Sequence, residues 1–126
     1  MGILKSTDLQ LTTNFFLSEF LHPGDEYPAD WILYNIYYLA NRLQVLRDLL
    51  GKPIHINSGY RSPAHNKAIN GASDSFHLKG MAADIVVPGM TAAEVQKFLK
   101  NWSGGLGSYK DFTHIDIRAN KARWNG

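Results

Sequence analysis

A chain of 126 residues, 44% hydrophobic and 12% aromatic, suits one domain over residues 1–126 with a single core and no second domain. The absence of cysteine excludes disulfides and thiolate metal ligands, so any metal must be held by His, Asp or Glu. A net charge of +2 is too mild to indicate nucleic acid as a partner.

Residues 1–10 lack a charged segment followed by a long apolar core, so no signal peptide is expected there. The longest apolar stretch, residues 31–40, is interrupted by Asn35 and too short for a transmembrane segment. Leu17 to Phe20 suggests a short helical turn, followed by a loop at His22-Pro23-Gly24-Asp25. Asp30 is the expected N-cap of a long amphipathic helix, because Ile32, Ile36, Leu39, Leu43, Leu46 and Leu50 recur at steps of three and four. Gly51 stops that helix and Pro53 prevents its continuation.

Ile54-His55-Ile56-Asn57 reads as a strand. Ser62 and Pro63 read as N-cap and first residue of a short helix ending at Asn70-Gly71. Residues 82–87 form a buried strand that Pro88-Gly89 breaks. Thr91-Ala92-Ala93-Glu94 is a capping box opening a helix whose inner face is Val95, Phe98, Leu99 and Trp102. The last strand pair is expected as a hairpin turning near Lys110-Asp111. The expected class is α+β, a small mainly antiparallel sheet with helices on one face and the site on the other.

The chemistry concentrates in Ser75-Phe76-His77-Leu78-Lys79-Gly80-Met81-Ala82-Ala83-Asp84, where an imidazole and a carboxylate stand seven residues apart beside the apolar run Ile85-Val86-Val87. A buried, unpaired Asp84 would cost several kcal/mol, and a metal is an effective partner for it. Zinc takes His nitrogen and Asp oxygen, and a catalytic site needs three protein ligands with a fourth position left open. His114, in Phe112-Thr113-His114-Ile115-Asp116-Ile117-Arg118, is the third candidate. Alternation along that segment places His114, Asp116 and Arg118 on one face and Thr113, Ile115 and Ile117 on the other. His55 and His65 read as structural or exposed.

The segment 75–84 matches the SxHxxGxAxD pattern, and the chain resembles the zinc D-Ala-D-Ala peptidase family, which includes carboxypeptidases, murein endopeptidases and phage endolysins and shares its fold with hedgehog domains. Four further pieces agree in order: Asn14-Phe15-Phe16-Leu17-Ser18-Glu19-Phe20, Ser58-Gly59-Tyr60-Arg61-Ser62-Pro63, His114-Ile115-Asp116, and Arg118 with Ala122-Arg123-Trp124. The resemblance implies a hedgehog/DD-peptidase-like fold holding Zn2+ on His77, Asp84 and His114, and hydrolysis of stem peptides of peptidoglycan by a monomer. Arg61 would grip a peptide carboxylate with its planar fork, and Ser75 would add a hydrogen-bond donor. Their competing readings are a surface cation and a turn hydroxyl.

Two carboxylates compete as general base. Asp111 has the family's spacing of three residues before the last histidine, yet residues three apart on a strand face opposite ways, so it reaches the metal only from a turn or bulge. Asp116 shares a face with His114, where it acts as base, orients the imidazole or takes a ligand place itself. The alternatives to an enzyme are an inactive zinc-stabilised cell-wall binding module or a structural component of a phage or secretion machine. Action at the cell wall or periplasm, without a leader in this chain, implies a trimmed chain or release by a route such as phage lysis.

Overall fold

The computed structural model describes residues 8–126, so the reading of residues 1–10 falls, for residues 1–7, outside the described part. The apolar stripe that runs at three- and four-residue steps forms α1 (Asp30–Leu50) and buries Ile32, Ile36, Leu39, Leu43 and Leu46, while Leu50 is half-buried. Leu43 is wholly buried, and truncating such a side chain to alanine costs about 2–5 kcal/mol. Asp30 is the first helical residue and not the N-cap; Ala29 holds the extended cap position, and the Asp30 carboxylate meets the positive end of the helix dipole. Gly51 ends the helix in the left-handed conformation at φ 65°.

Five strands form one mixed sheet in the order β1-β2-β4-β3-β5, with β1 at His55–Ser58, β2 at Ala82–Val86, β3 at Gly105–Ser108, β4 at Thr113–Asp116 and β5 at Ala122–Asn125. The β1–β2, β2–β4 and β3–β4 pairings are antiparallel, and the expected hairpin links β3 to β4. β5 pairs parallel to β3 and was not foreseen from the sequence. It is an edge strand of four residues, two of them exposed, so it carries almost no hydrophobic periodicity.

Ile56, Ala83, Ile85, Leu106 and Ile115 join α1 and the inner face of α3 (Ala92–Phe98) in the core. The expected capping box is present, with Thr91 N donating to Glu94 Oε1 at 2.8 Å and Glu94 N to Thr91 Oγ1 at 3.1 Å. Phe98 departs from its expected inward place and is exposed, because Val95 and Leu99 define the buried side and Phe98 is turned away from it. Trp102 still enters the core, from a turn beyond the helix. No helix among the described residues is long and apolar enough to cross a membrane.

On the opposite face, register aligns Ser58, Asp84, His114, Gly107 and Trp124 in one row across all five strands. Directly opposed residues project to the same side of a sheet. This row is the floor of the site. The short helix α2 (Pro63–Ala68) and two 3-10 helices, Leu17–Phe20 and Phe76–Lys79, frame it.

Candidate metal centre

His77 reaches the row from the 3-10 helix Phe76–Lys79, whose cap is Ser75: its hydroxyl oxygen accepts from His77 N at 3.1 Å. Gly80 closes that turn at φ 70°, where a side chain would be strained and would also meet Ile36 and Ile32 of α1 within 3 Å. The turn therefore sits directly on the long helix, and Asn35 fastens it further by donating to Lys79 O at 2.9 Å. His77 is almost wholly buried as a result.

Three ligand atoms, one each from His77, Asp84 and His114, lie within 4.8 Å of one another. Asp84 Oδ1 stands 3.2 Å from His77 Nε2 and 3.0 Å from His114 Nδ1. The outward nitrogens are already committed: His77 Nδ1 donates to Gly59 O at 2.7 Å, and His114 Nε2 donates to Asp116 Oδ2 at 2.9 Å. Both inward nitrogens thus converge on one carboxylate oxygen, and the two rings are 5.1 Å apart edge to face. A divalent ion held between them would accept the three inward lone pairs together. Two imidazoles and one carboxylate, each ring braced from behind by an oxygen acceptor, fit zinc with a fourth position open.

The electrostatics agree with this donor set. Burial alone would raise the Asp84 carboxyl, but hydrogen bonds and charge from His114 and His77 outweigh it and hold the group far below the usual carboxylate range. For His114, burial lowers the pKa, and hydrogen bonds and charge from Asp116 and Asp84 reverse this, raising it above 6.5. Asp116 is also strongly acidic: burial opposes ionisation, and Arg118 and His114 more than compensate.

Asp116 is wholly buried and saturated with donors. Its Oδ1 accepts from Gly105 N at 3.0 Å, Arg118 N at 3.2 Å and Arg118 Nε at 2.8 Å, while Oδ2 accepts from Arg118 Nη2 at 2.7 Å as well as from His114. Arg118 in turn lies over the Phe76 ring at 4.5 Å and the Trp124 ring at 5.1 Å. The result is a continuous brace of arginine, carboxylate and imidazole behind the centre.

The cleft above His77, Asp84 and His114 encloses about 420 Å³. Arg61, Ser75, Tyr109, Phe112 and Trp124 line it, and so does Asp74, which sequence reasoning did not single out. Asp74 carries no motif signal beyond lying one residue before Ser75. Trp124 packs 5.1 Å from His114 because Gly107 leaves the space; a Cβ there would stand 2.6 Å from the indole. Asp111 lies elsewhere: it is exposed on the β3–β4 turn and borders a small hollow with Val86, Val87 and Met90, not the cleft. It precedes β4, so strand parity does not govern it, and the turn leaves it outside the lining of the cleft.

His55 is exposed on β1. His65 is structural, its Nδ1 3.1 Å from Asp25 Oδ2 and its ring stacked on His22 with centroids 4.1 Å apart.

Comparison with known proteins agrees with the geometry. The profile described as Peptidase M15 matches residues 14–116, which include every residue of the row except Trp124. The peptidoglycan L,D-endopeptidase MepK of Escherichia coli strain K12 is 36% identical over 88 residues, which cover 62% of this chain and 48% of that protein. The zinc D-Ala-D-Ala carboxypeptidase of Streptomyces albus G is 35% identical over 81 residues, 59% of this chain and 32% of its own length. The chain thus spans about half the length of the first relative and about a third of the second. With the profile covering most of the chain and the ordered histidine and aspartate pattern resolved into one cluster, the chain belongs to the peptidase M15 family.

Proposed function

We propose that the chain is a zinc-dependent peptidase acting on the peptide bonds of peptidoglycan stem peptides. The observation that carries this reading is the triangle of His77, Asp84 and His114 at the floor of an open cleft, with both imidazoles oriented by acceptors behind them. Zinc bound there would supply Lewis-acid activation of water and of the scissile carbonyl. The chain's own groups do the remainder.

Arg61 presents a planar fork at the cleft and is suited to holding a substrate carboxylate. The Ser75 oxygen accepts from the His77 amide, so its O–H remains available to donate to a peptide carbonyl. Asp116 has no vacant lone pair toward the cleft and acts by holding His114. Asp74 is the carboxylate that lines the cleft without being a ligand, which supports giving it the proton transfer from water to the leaving amine. Phe112 and Trp124 supply apolar walls that exclude bulk water from the reacting bond.

Purified muropeptides incubated with the zinc-loaded protein, followed by mass spectrometry, test the proposal and identify the bond cut. Cleavage that a chelator abolishes and added zinc restores is the expected result. Zinc bound to the protein with every muropeptide left intact would instead identify a binding module.

A further inference from the structure

Arg61 is held on three sides. Nε donates to Ser58 Oγ at 3.2 Å, Nη1 to Asn66 Oδ1 at 3.4 Å and Nη2 to Asp84 Oδ2 at 3.4 Å. A guanidinium has five N–H donors, so five minus three leaves two, one on each terminal nitrogen. That pair is the fork a carboxylate accepts. Its direction depends on a balance. Asp84 is an anion whose second oxygen already contacts Nη2, and nothing in that attraction stops the guanidinium from turning both terminal nitrogens onto it. Ser58 on Nε and Asn66 on Nη1 oppose this turn, and of the two only Asn66 holds a terminal nitrogen.

Asn66 is itself fixed. It is buried in α2, and its Nδ2 donates to Ala72 O at 3.0 Å. That bond decides which end of the amide is which, so Oδ1 must face Arg61. The backbone closes the same link, Gly71 N donating to Asn66 O at 2.8 Å. At Gly71 a Cβ would stand 2.0 Å from Asn66 Oδ1 and 2.7 Å from its Cγ, so the side chain occupies the space that glycine vacates. Gly71, Ala72, Asp74 and Ser75 all line the cleft. One buried amide therefore joins the guanidinium to the wall of the cleft that carries Ser75.

We infer that Asn66 is a positioning residue for recognition of a free substrate carboxylate, holding the Arg61 fork off Asp84 and in register with the wall at residues 71–75. The inference rests on Arg61 being the carboxylate-binding group. It also assigns Gly71 a reason: any side chain there displaces the Asn66 amide from Arg61.

The test compares two synthetic stem peptides, identical but for a free carboxylate or an amide at the C-terminus, on the zinc-loaded full chain. The readout is the preference for the acid, the ratio of the two kcat/KM values, with bound zinc measured in each variant. Arg61→Lys, Asn66→Ala and Gly71→Ala should each lower that preference about tenfold, mainly through KM of the acid, with zinc retained. The double variant Asn66→Ala/Gly71→Ala should be no worse than Asn66→Ala, because the space the added methyl needs is already empty. A general loss of packing would lower both peptides alike and leave their ratio unchanged. If Arg61→Lys lowers the preference and neither Asn66→Ala nor Gly71→Ala does, the role of Asn66 is overturned while Arg61 stands. If Arg61→Lys leaves it unchanged, Arg61 is not the carboxylate binder and the inference falls with it. Gly71→Ala keeps the test decisive should Asn66→Ala fail to fold.

Discussion

His114 and Asp116, two residues apart on one strand, meet through His114 Nε2 and Asp116 Oδ2 at 2.9 Å, which leaves Nδ1 of the same ring to face Asp84. In the proposed centre, the pair selects which nitrogen would be offered to the metal. Asp116→Asn removes the charge that favours the Nε2–H form and half of the Arg118 pairing. Zinc affinity is expected to fall about 10–100-fold, with turnover at saturating zinc close to that of the unaltered protein. Zinc titration and turnover on the same samples check this; unchanged affinity with collapsed turnover would make Asp116 the base.

The proposed metal ligands should behave differently from their brace. His77→Ala or Asp84→Ala leaves two donors, below the three required for a tight catalytic centre, so each variant should purify without stoichiometric zinc. Elemental analysis decides it, and full retention in both would refute the assignment.

Proton competition gives a pH signature. His114 is raised above 6.5 by Asp116 and Asp84, so in the metal-free protein its protonated form adds stability that is complete below the unfolded histidine value and lost as pH rises through the folded one. Zinc must displace that proton. Metal-free stability from this group should therefore decline above about pH 6.5 while the stabilisation added by zinc grows over the same range. Thermal unfolding with and without zinc across that range would show the two curves diverging; parallel curves would exclude His114 from the metal.

Asp74 and Asp111 are separable by kinetics. Asp74→Asn should keep zinc and slow hydrolysis about 10²–10⁴-fold, the usual contribution of a positioned acid–base group. Asp111→Asn, altering an exposed turn, should change neither zinc content nor turnover appreciably. A large rate loss in Asp111→Asn alone would show that the turn moves over the cleft when substrate binds.

Thr113 on β4 is wholly buried, and its hydroxyl has no partner among the described residues. Its side chain lies on the core side of the strand, shared with Ile115 and opposite to His114. Thr113→Val, which keeps the shape and removes the unsatisfied group, should raise stability by about 1 kcal/mol. Denaturant midpoints measure it, and a loss of stability would mean the hydroxyl is bonded to ordered water.

What the sequence determined by itself follows from chemistry that is local. The six-residue apolar stripe of α1, the Gly51 stop, the Ser62-Pro63 start, the Thr91 capping box and the hairpin at Lys110-Asp111 each depend on a few neighbouring residues, and each is found within a residue or two of its expected place. The approach of His77, Asp84 and His114 was legible because one dense motif and one alternating strand carry them. Only tertiary structure decided the rest. β5 exists because β3 offers it an edge, and Trp124 reaches His114 because Gly107 is empty, neither of which leaves a periodic trace. Folding placed the two carboxylates differently: two residues on from His114, Asp116 returns to the same face of β4 and meets Gly105 and Arg118, whereas Asp111 lies off the strand, exposed on the β3–β4 turn. Asn66 and Asp74 were invisible for the same reason, since their importance comes from groups brought beside them by folding and not from any pattern along the chain.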